Sequence, residues 1–115
     1  MRRLLIVDDH AGFRASAAQL LASEGFEIVG EADSGVRALR CARDLAPEVV
    51  LLDVGLPDFD GFEVAERLAQ LDPAPAVVLT SSREHTDFAS LIRGSSARGF
   101  IPKSELSGSR IEALL

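Results

Sequence analysis

The chain is predicted to be an α/β protein: a doubly wound, five-stranded parallel sheet with helices on both faces. Five short apolar runs alternate with five helix-like segments along 115 residues. The runs are rich in Val, Ile and Leu, as in strands buried on both faces, and each passes to a helix before the next begins, the crossover that parallel βαβ units require. Two runs also finish in acid: Leu4 to Val7 leads into Asp8-Asp9, and Val49 to Leu52 leads into Asp53. In a parallel sheet those ends share one edge, so the three carboxylates meet.

Taken in order, Leu4 to Val7 is the first strand, and a helix over Phe13 to Ser23 places Phe13, Ala17, Leu20 and Leu21 on one face before Gly25 stops it. Phe26 to Val29 is the second strand. Ser34 caps a helix from Gly35 to Asp44, with Pro47 beyond its end. The third strand, Val49 to Asp53, runs through Gly55-Leu56-Pro57-Asp58-Phe59-Asp60-Gly61 into a helix over Phe62 to Leu71, closed by Asp72-Pro73. Ala76 to Leu79 is the fourth strand, with a Ser-rich, polar helix from His85 to Gly94 after it. Arg98 to Ile101 is the fifth, and the last helix begins near Leu106 or Ser109. Asp58 and Asp60 suit turn and helix-capping positions, Gly61 suits close backbone geometry, and Phe13, Phe26, Phe62 and Leu20 read as packing residues.

Composition narrows the classes. At 47% apolar and 26% charged residues, the chain is expected to be one soluble globular domain over residues 1–115. No apolar stretch is long enough to cross a membrane, and Met1-Arg2-Arg3-Leu4 lacks a signal peptide's apolar core, so the expected location is cytoplasmic. The single Cys41 is expected to be a small buried helix residue. A net charge of −6 argues against direct nucleic-acid contact.

Three like charges at one edge repel by roughly 4 kcal/mol per pair at about 4 Å and an effective dielectric near 20, so a counter-charge is required. Asp8, Asp9 and Asp53 suit a hard divalent cation such as Mg²⁺, whereas His10 and His85 lack zinc-ligand spacing; His10 reads as a surface or helix-start residue. With a metal in place, one carboxylate can act as nucleophile toward a phosphoryl group. Lys103, the only lysine, follows the fifth strand, and Thr80, Ser81 and Ser82 follow the fourth. An ammonium and a hydroxyl there can contact phosphoryl oxygens.

These residues, with Leu56-Pro57, Asp60-Gly61 and Gly99-Phe100, carry a resemblance. Over its whole length the chain resembles the receiver domain of bacterial two-component response regulators, a flavodoxin-like fold. The resemblance implies that Asp53 takes a phosphoryl group from a phosphohistidine on a sensor histidine kinase or phosphotransfer protein. Asp9, Asp53 and the Gly55 carbonyl would bind Mg²⁺ directly, and Asp8 through water. Lys103 and Thr80 would hold phosphoryl oxygens and Phe100 would be the aromatic switch. Counting back from Lys103 gives Ser81 as an alternative to Thr80. Gly55 and Ser82 occupy the positions that tune phosphoryl lifetime. The output face, and a possible homodimer face, would be helix four, strand five and helix five. In many receivers a proline follows the lysine; here Pro102 precedes Lys103 and Ser104 follows it.

Two other readings stay open. One is a pseudo-receiver that acts only as a protein interaction module. The other is an aspartyl-nucleophile phosphohydrolase, although such enzymes usually carry a second acid where this chain has Gly55. A self-catalysed phosphoacceptor, not a turnover enzyme, is the expectation. The run Phe26 to Ala32 resembles receivers joined to a helix-turn-helix DNA-binding domain, so the chain is either a stand-alone receiver or the first domain of a longer transcription regulator.

Overall fold

The computed structural model describes residues 1–82 and 89–115. Strands β1 (Arg2–Val7), β2 (Phe26–Ala32), β3 (Val49–Asp53), β4 (Ala76–Ser81) and β5 (Gly99–Pro102) form one sheet in the order β2-β1-β3-β4-β5. Every neighbouring pair is parallel. The helices are α1 (Ala11–Ser23), α2 (Gly35–Leu45), α3 (Gly61–Leu68), α4 (Ala89–Arg93) and α5 (Gly108–Leu114).

Strand alternation builds two cores. Leu5, Val7, Val50, Leu52, Val77 and Leu79 pack with Ala38, Leu39 and Ala42 of α2 and Val64, Ala65 and Leu68 of α3. Leu4, Ile6, Val49, Leu51, Val78 and Ile101 pack on the other face with Ala17 and Leu21 of α1 and Ile111 of α5. The predicted architecture is therefore the observed one. After β1 the chain moves outward to β2, then returns to β3 on the other flank, so strand order reverses between β1 and β3. Ligand crevices form at such points, beyond the carboxyl ends of the strands.

Element boundaries depart from expectation for local reasons. Helix α1 starts two residues before Phe13, and Leu20 is 38% exposed while Ala17 and Leu21 are buried. Successive helical residues are about 100° apart, which carries Leu20 off the face centred between Ala17 and Leu21. Strand β2 runs on to Ala32 through a register shift that pairs Leu4 with Ile28 and Leu5 with Gly30. Helix α2 continues one residue past Asp44, and Ala46 then turns left-handed at φ 46°. Helix α3 is shorter than expected, because the Gln70 and Leu71 N–H groups donate three residues back, to Arg67 and Leu68, in the tighter 3₁₀ pattern. Strand β4 extends through Thr80 and Ser81, and β5 is shifted one residue forward. A 3₁₀ turn over Lys103–Glu105, not anticipated, precedes α5, whose Ser107 cap accepts from Arg110 N. Of the helix expected over His85 to Gly94, residues 85–88 lie outside the described residues.

The segment behind Asp53 is fixed by its acids and glycine. Asp60 caps α3 by accepting from Glu63 N at 2.8 Å. Asp58 caps a different helix: its carboxylate accepts from Gly35 N (2.7 Å) and Val36 N (3.0 Å) at the start of α2, and from Phe59 N. These bonds hold the Asp58 carboxyl below its ordinary pKa, the Gly35 bond most strongly. Gly61 N donates to Val54 O at 2.8 Å, and a Cβ on Gly61 would lie 2.5 Å from Val54 Cα and 2.6 Å from Asp53 O. Gly61→Ala is therefore expected to cost about 1–3 kcal/mol, read by urea unfolding. Gly12→Ala in α1, where an added Cβ meets nothing within 4 Å, should instead be neutral or stabilising by up to about 1 kcal/mol.

Candidate functional site

Asp8, Asp9 and Asp53 meet at the reversal of strand order, as their positions at the ends of β1 and β3 predict. Each, together with His10, offers a ligand atom within 4.8 Å of all the others. Asp8 is fully buried and Asp53 is 5% exposed. The backbone fixes Asp8 from three sides: its N–H donates to Ala32 O, its carbonyl accepts from the Arg14 guanidinium at 2.6 Å, and its Oδ1 accepts from His10 N at 2.8 Å. Asp8 Oδ2 is buried and accepts no hydrogen bond. Its neighbour is Lys103 Nζ, 2.6 Å away, close enough for an ion pair though off the hydrogen-bonding direction. The same ammonium lies 4.3 Å from the centre of the Phe13 ring, a cation–π contact. Lys103 thus rests against β1 and α1.

Burial pushes the Asp53 carboxyl above its ordinary value, and the Asp8 charge adds to that. Lys103 and the Gly55 N–H pull the other way, and Asp9 adds a weaker upward push. Gly55 leaves the approach open, since a Cβ there would come no nearer than 4.0 Å to Asp53 Oδ2. A cleft of about 300 Å³ lies above Asp53, lined by His10, Asp53, Val54, Gly55, Ser81, Ser82 and Lys103.

Thr80 pairs in register with Asp53, and its neighbour Val54 N donates to Thr80 O. The Thr80 hydroxyl is buried and donates to Ile101 O of β5 at 2.7 Å, while Ser81 and Ser82 line the cleft. Phe100 is half-buried, packing against the core shared with α2 and α3 and edging a groove with Ser109, Arg110, Ala113 and Leu114 of α5. Cys41 is free and half-buried against that core.

Sequence reasoning missed two members of this site. His10, expected as a surface or helix-start residue, is both exposed and at the start of α1; what the sequence does not reveal is that its Nδ1 lies 3.1 Å from Asp8 Oδ1 and 3.1 Å from Asp9 Oδ1. Phe13, read as packing, also seats Lys103. Only adjacency to Asp9 hinted at the first, and nothing in the sequence pointed to the second.

The donor set fits a hard divalent cation: carboxylate oxygens dominate, and the single ammonium of Lys103, paired with Asp8 Oδ2, leaves the three acids only partly offset. Residues 4–114 match the family model described as the response regulator receiver domain. The chain belongs to that family. Receiver domains bind Mg²⁺ through such an acidic cluster and are generally not turnover enzymes. Among curated relatives, the virulence-factor transcription regulator BvgA of Bordetella pertussis is 39% identical over 90% of this chain and 49% of its own length. The transcriptional regulatory protein PdtaR of Mycobacterium tuberculosis is 37% identical over 98% of this chain and 60% of its own length. This chain spans about half the length of the first such relatives. Among solved structures, a LuxR-family two-component response regulator from Aurantimonas superposes with a TM-score of 0.87 at 27% identity, covering 99% of this chain and 82% of that one. The receiver domain of a modulated diguanylate cyclase from Desulfovibrio desulfuricans gives 0.84, also at 27%, covering 99% and 90%. Among the described residues, no helix of this receiver is long and apolar enough to cross a membrane.

The raised pKa of Asp53 has a stability consequence with a definite sign. Above the ordinary value of 3.8 the unfolded chain releases this proton while the folded chain still holds it, so folding weakens as pH rises through that window. Asp53→Asn is therefore expected to raise the Tm of the metal-free protein at pH 7. The advantage should shrink toward zero below pH 3.8, as followed by thermal melts in EDTA across pH.

Proposed function

We propose that this receiver, as a domain over residues 1–115, takes a phosphoryl group onto Asp53 from a phosphohistidine of a sensor histidine kinase or phosphotransfer protein in the cytoplasm. The observation that supports it is the meeting of three acids and the chain's one lysine at the reversal of strand order. An Asp53 carboxylate oxygen attacks phosphorus; the new P–O bond forms as the P–N bond breaks, and the imidazole leaves with the electron pair. Asp9, Asp53 and the Gly55 carbonyl would hold Mg²⁺ directly, with Asp8 acting through water. Bound Mg²⁺ supplies positive charge against the phosphoryl oxygens and favours the ionised form of Asp53.

Lys103 meets a phosphoryl oxygen by giving up part of its pairing with Asp8. Thr80, in register with Asp53, is the switch hydroxyl: reaching the phosphoryl group means exchanging its bond to Ile101 O for one to phosphate. Ser81, on the cleft wall, is the alternative donor. Release of Ile101 loosens β5 beside Phe100, so that the ring turns inward and the face of α4, β5 and α5 shifts population. That face is the output surface and a candidate homodimer contact. Gly55 and Ser82 set the openness of the cleft to water and hence phosphoryl lifetime. The relatives named as transcription regulators support a transcriptional output through a separate domain, and the −6 charge supports the absence of nucleic-acid contact by the receiver itself.

Intact mass after incubation with acetyl phosphate and Mg²⁺ tests the reading. The expected result is a gain of one phosphoryl group that EDTA and Asp53→Ala abolish and Asp58→Ala leaves in place. A folded protein that gains nothing, from acetyl phosphate or from a phosphorylated kinase, would be a pseudo-receiver. Multiple turnover of small phosphate monoesters would instead mark a phosphohydrolase.

A further inference from the structure

Lys103 is the chain's only lysine, and its ammonium is held from two sides. Nζ lies 2.6 Å from Asp8 Oδ2 and 4.3 Å from the centre of the Phe13 ring, and only 17% of the side chain is exposed. The two contacts respond differently to a cation. Once the acids take a divalent ion, the charge of Asp8 is shared with it, and metal and ammonium repel each other. The Phe13 ring attracts through its quadrupole and has no charge to be neutralised, so its hold survives metal loading. A lysine let go by Asp8 and held by nothing else has a flexible four-carbon stem and a strongly hydrated head, both of which favour solvent.

We propose that Phe13 is a positioning residue for phosphoryl transfer, retaining Lys103 at the wall of the Asp53 cleft while the acids turn from the ammonium to the metal. The inference rests on the phosphoacceptor reading of Asp53 and deepens it. The frame around the ring supports it. Phe13 stands in the first turn of α1 and packs against the core that includes Leu4, Ile6, Ala17 and Leu21. The next residue, Arg14, bolts that turn to the sheet: its guanidinium donates to Asp8 O at 2.6 Å and pairs with Glu31 of β2 at 3.1 Å. The ring and Asp8 are thus parts of one rigid frame, and Lys103 reaches into it from the end of β5. Lys103 also lines the cleft above Asp53, with Gly55 and Ser81. An ammonium carries three donors, and a π face holds its charge without supplying an oxygen that would compete with phosphoryl oxygens for them.

The lone lysine makes the contact directly observable, because protein carrying isotope-labelled lysine gives NMR signals from one ε-methylene group alone. In wild type and in Phe13→Tyr these signals are expected upfield of a free lysine, through the ring current, in EDTA and in saturating Mg²⁺ alike. Phe13→Leu, which keeps an apolar side chain in the core, should bring them to the free-lysine position in Mg²⁺. Intact mass followed over time with acetyl phosphate and Mg²⁺ should show Phe13→Leu gaining its phosphoryl group about threefold to tenfold more slowly than wild type, with Phe13→Tyr within about twofold of it. On a Lys103→Met background, adding Phe13→Leu should change the rate by less than about twofold, since the ring acts only through the ammonium. Phe13→Leu at the wild-type rate, or slowed equally with and without Lys103, overturns this inference alone, as does a wild-type lysine signal that moves to the free position on adding Mg²⁺. A wild type that gains no phosphoryl group, from acetyl phosphate or from a phosphorylated kinase, overturns the phosphoacceptor reading and this inference with it.

Discussion

The structure turns on electrostatic crowding at one end of the sheet. Asp8, Asp9 and Asp53 are brought within reach of one another by strands whose own burial leaves them no alternative position. Repulsion of roughly 3–4 kcal/mol per pair at such distances would drive exposed side chains apart. Here the backbone resists, because Asp8 N is bonded to β2, Val54 N to β4, and Gly61 N to Val54 O. The two apolar cores carry this cost, and one ammonium, Lys103, offsets part of it. Proteins concentrate such unfavourable arrangements at functional sites, where a ligand of opposite charge relieves them.

Much of this was legible because it depends on burial and strand ends. Uniformly apolar runs such as Val49 to Leu52 determine that both sheet faces are covered, and the acid after each run then has to lie at the shared edge. The caps Ser34 and Asp60 were readable for the same local reason. Less legible was whatever depends on how separate segments meet. Asp58 reads as a turn and helix-capping residue, but that the helix it caps is α2, through Gly35 and Val36, 23 and 22 residues away, is not legible in the sequence. The Thr80 hydroxyl turns to Ile101 O, a choice set by a strand 21 residues on. Leu20 read as core because an apolar residue beside Leu21 fits a helical face, and a rotation of one residue was enough to expose it. The position of His10 relative to two carboxylates depends on backbone angles at the start of α1 that no residue pattern encodes.

The relatives distinguish the chemistry of the sheet end from the output it governs. A transcription regulator of virulence factors, a LuxR-family regulator and a modulated diguanylate cyclase share this receiver architecture while bearing different names for their outputs. A fold shared by proteins so differently named does not by itself specify an output. Phe100 touches the core on one side and the α5 groove on the other.

The flanks of Asp53 differ in compliance. On the side of α2 and α3, the segment after β3 is riveted by three bonds to the Asp58 carboxylate, the Asp60 cap and the backbone approach that only Gly61 allows. Toward β5, among the described residues, the Thr80 side chain is held by one hydroxyl bond, to Ile101 O. On the proposed reading, a load applied at Asp53 would meet a stiff abutment on one side and a latch on the other, so that the domain would work as a lever with its fulcrum at the glycine behind the acid.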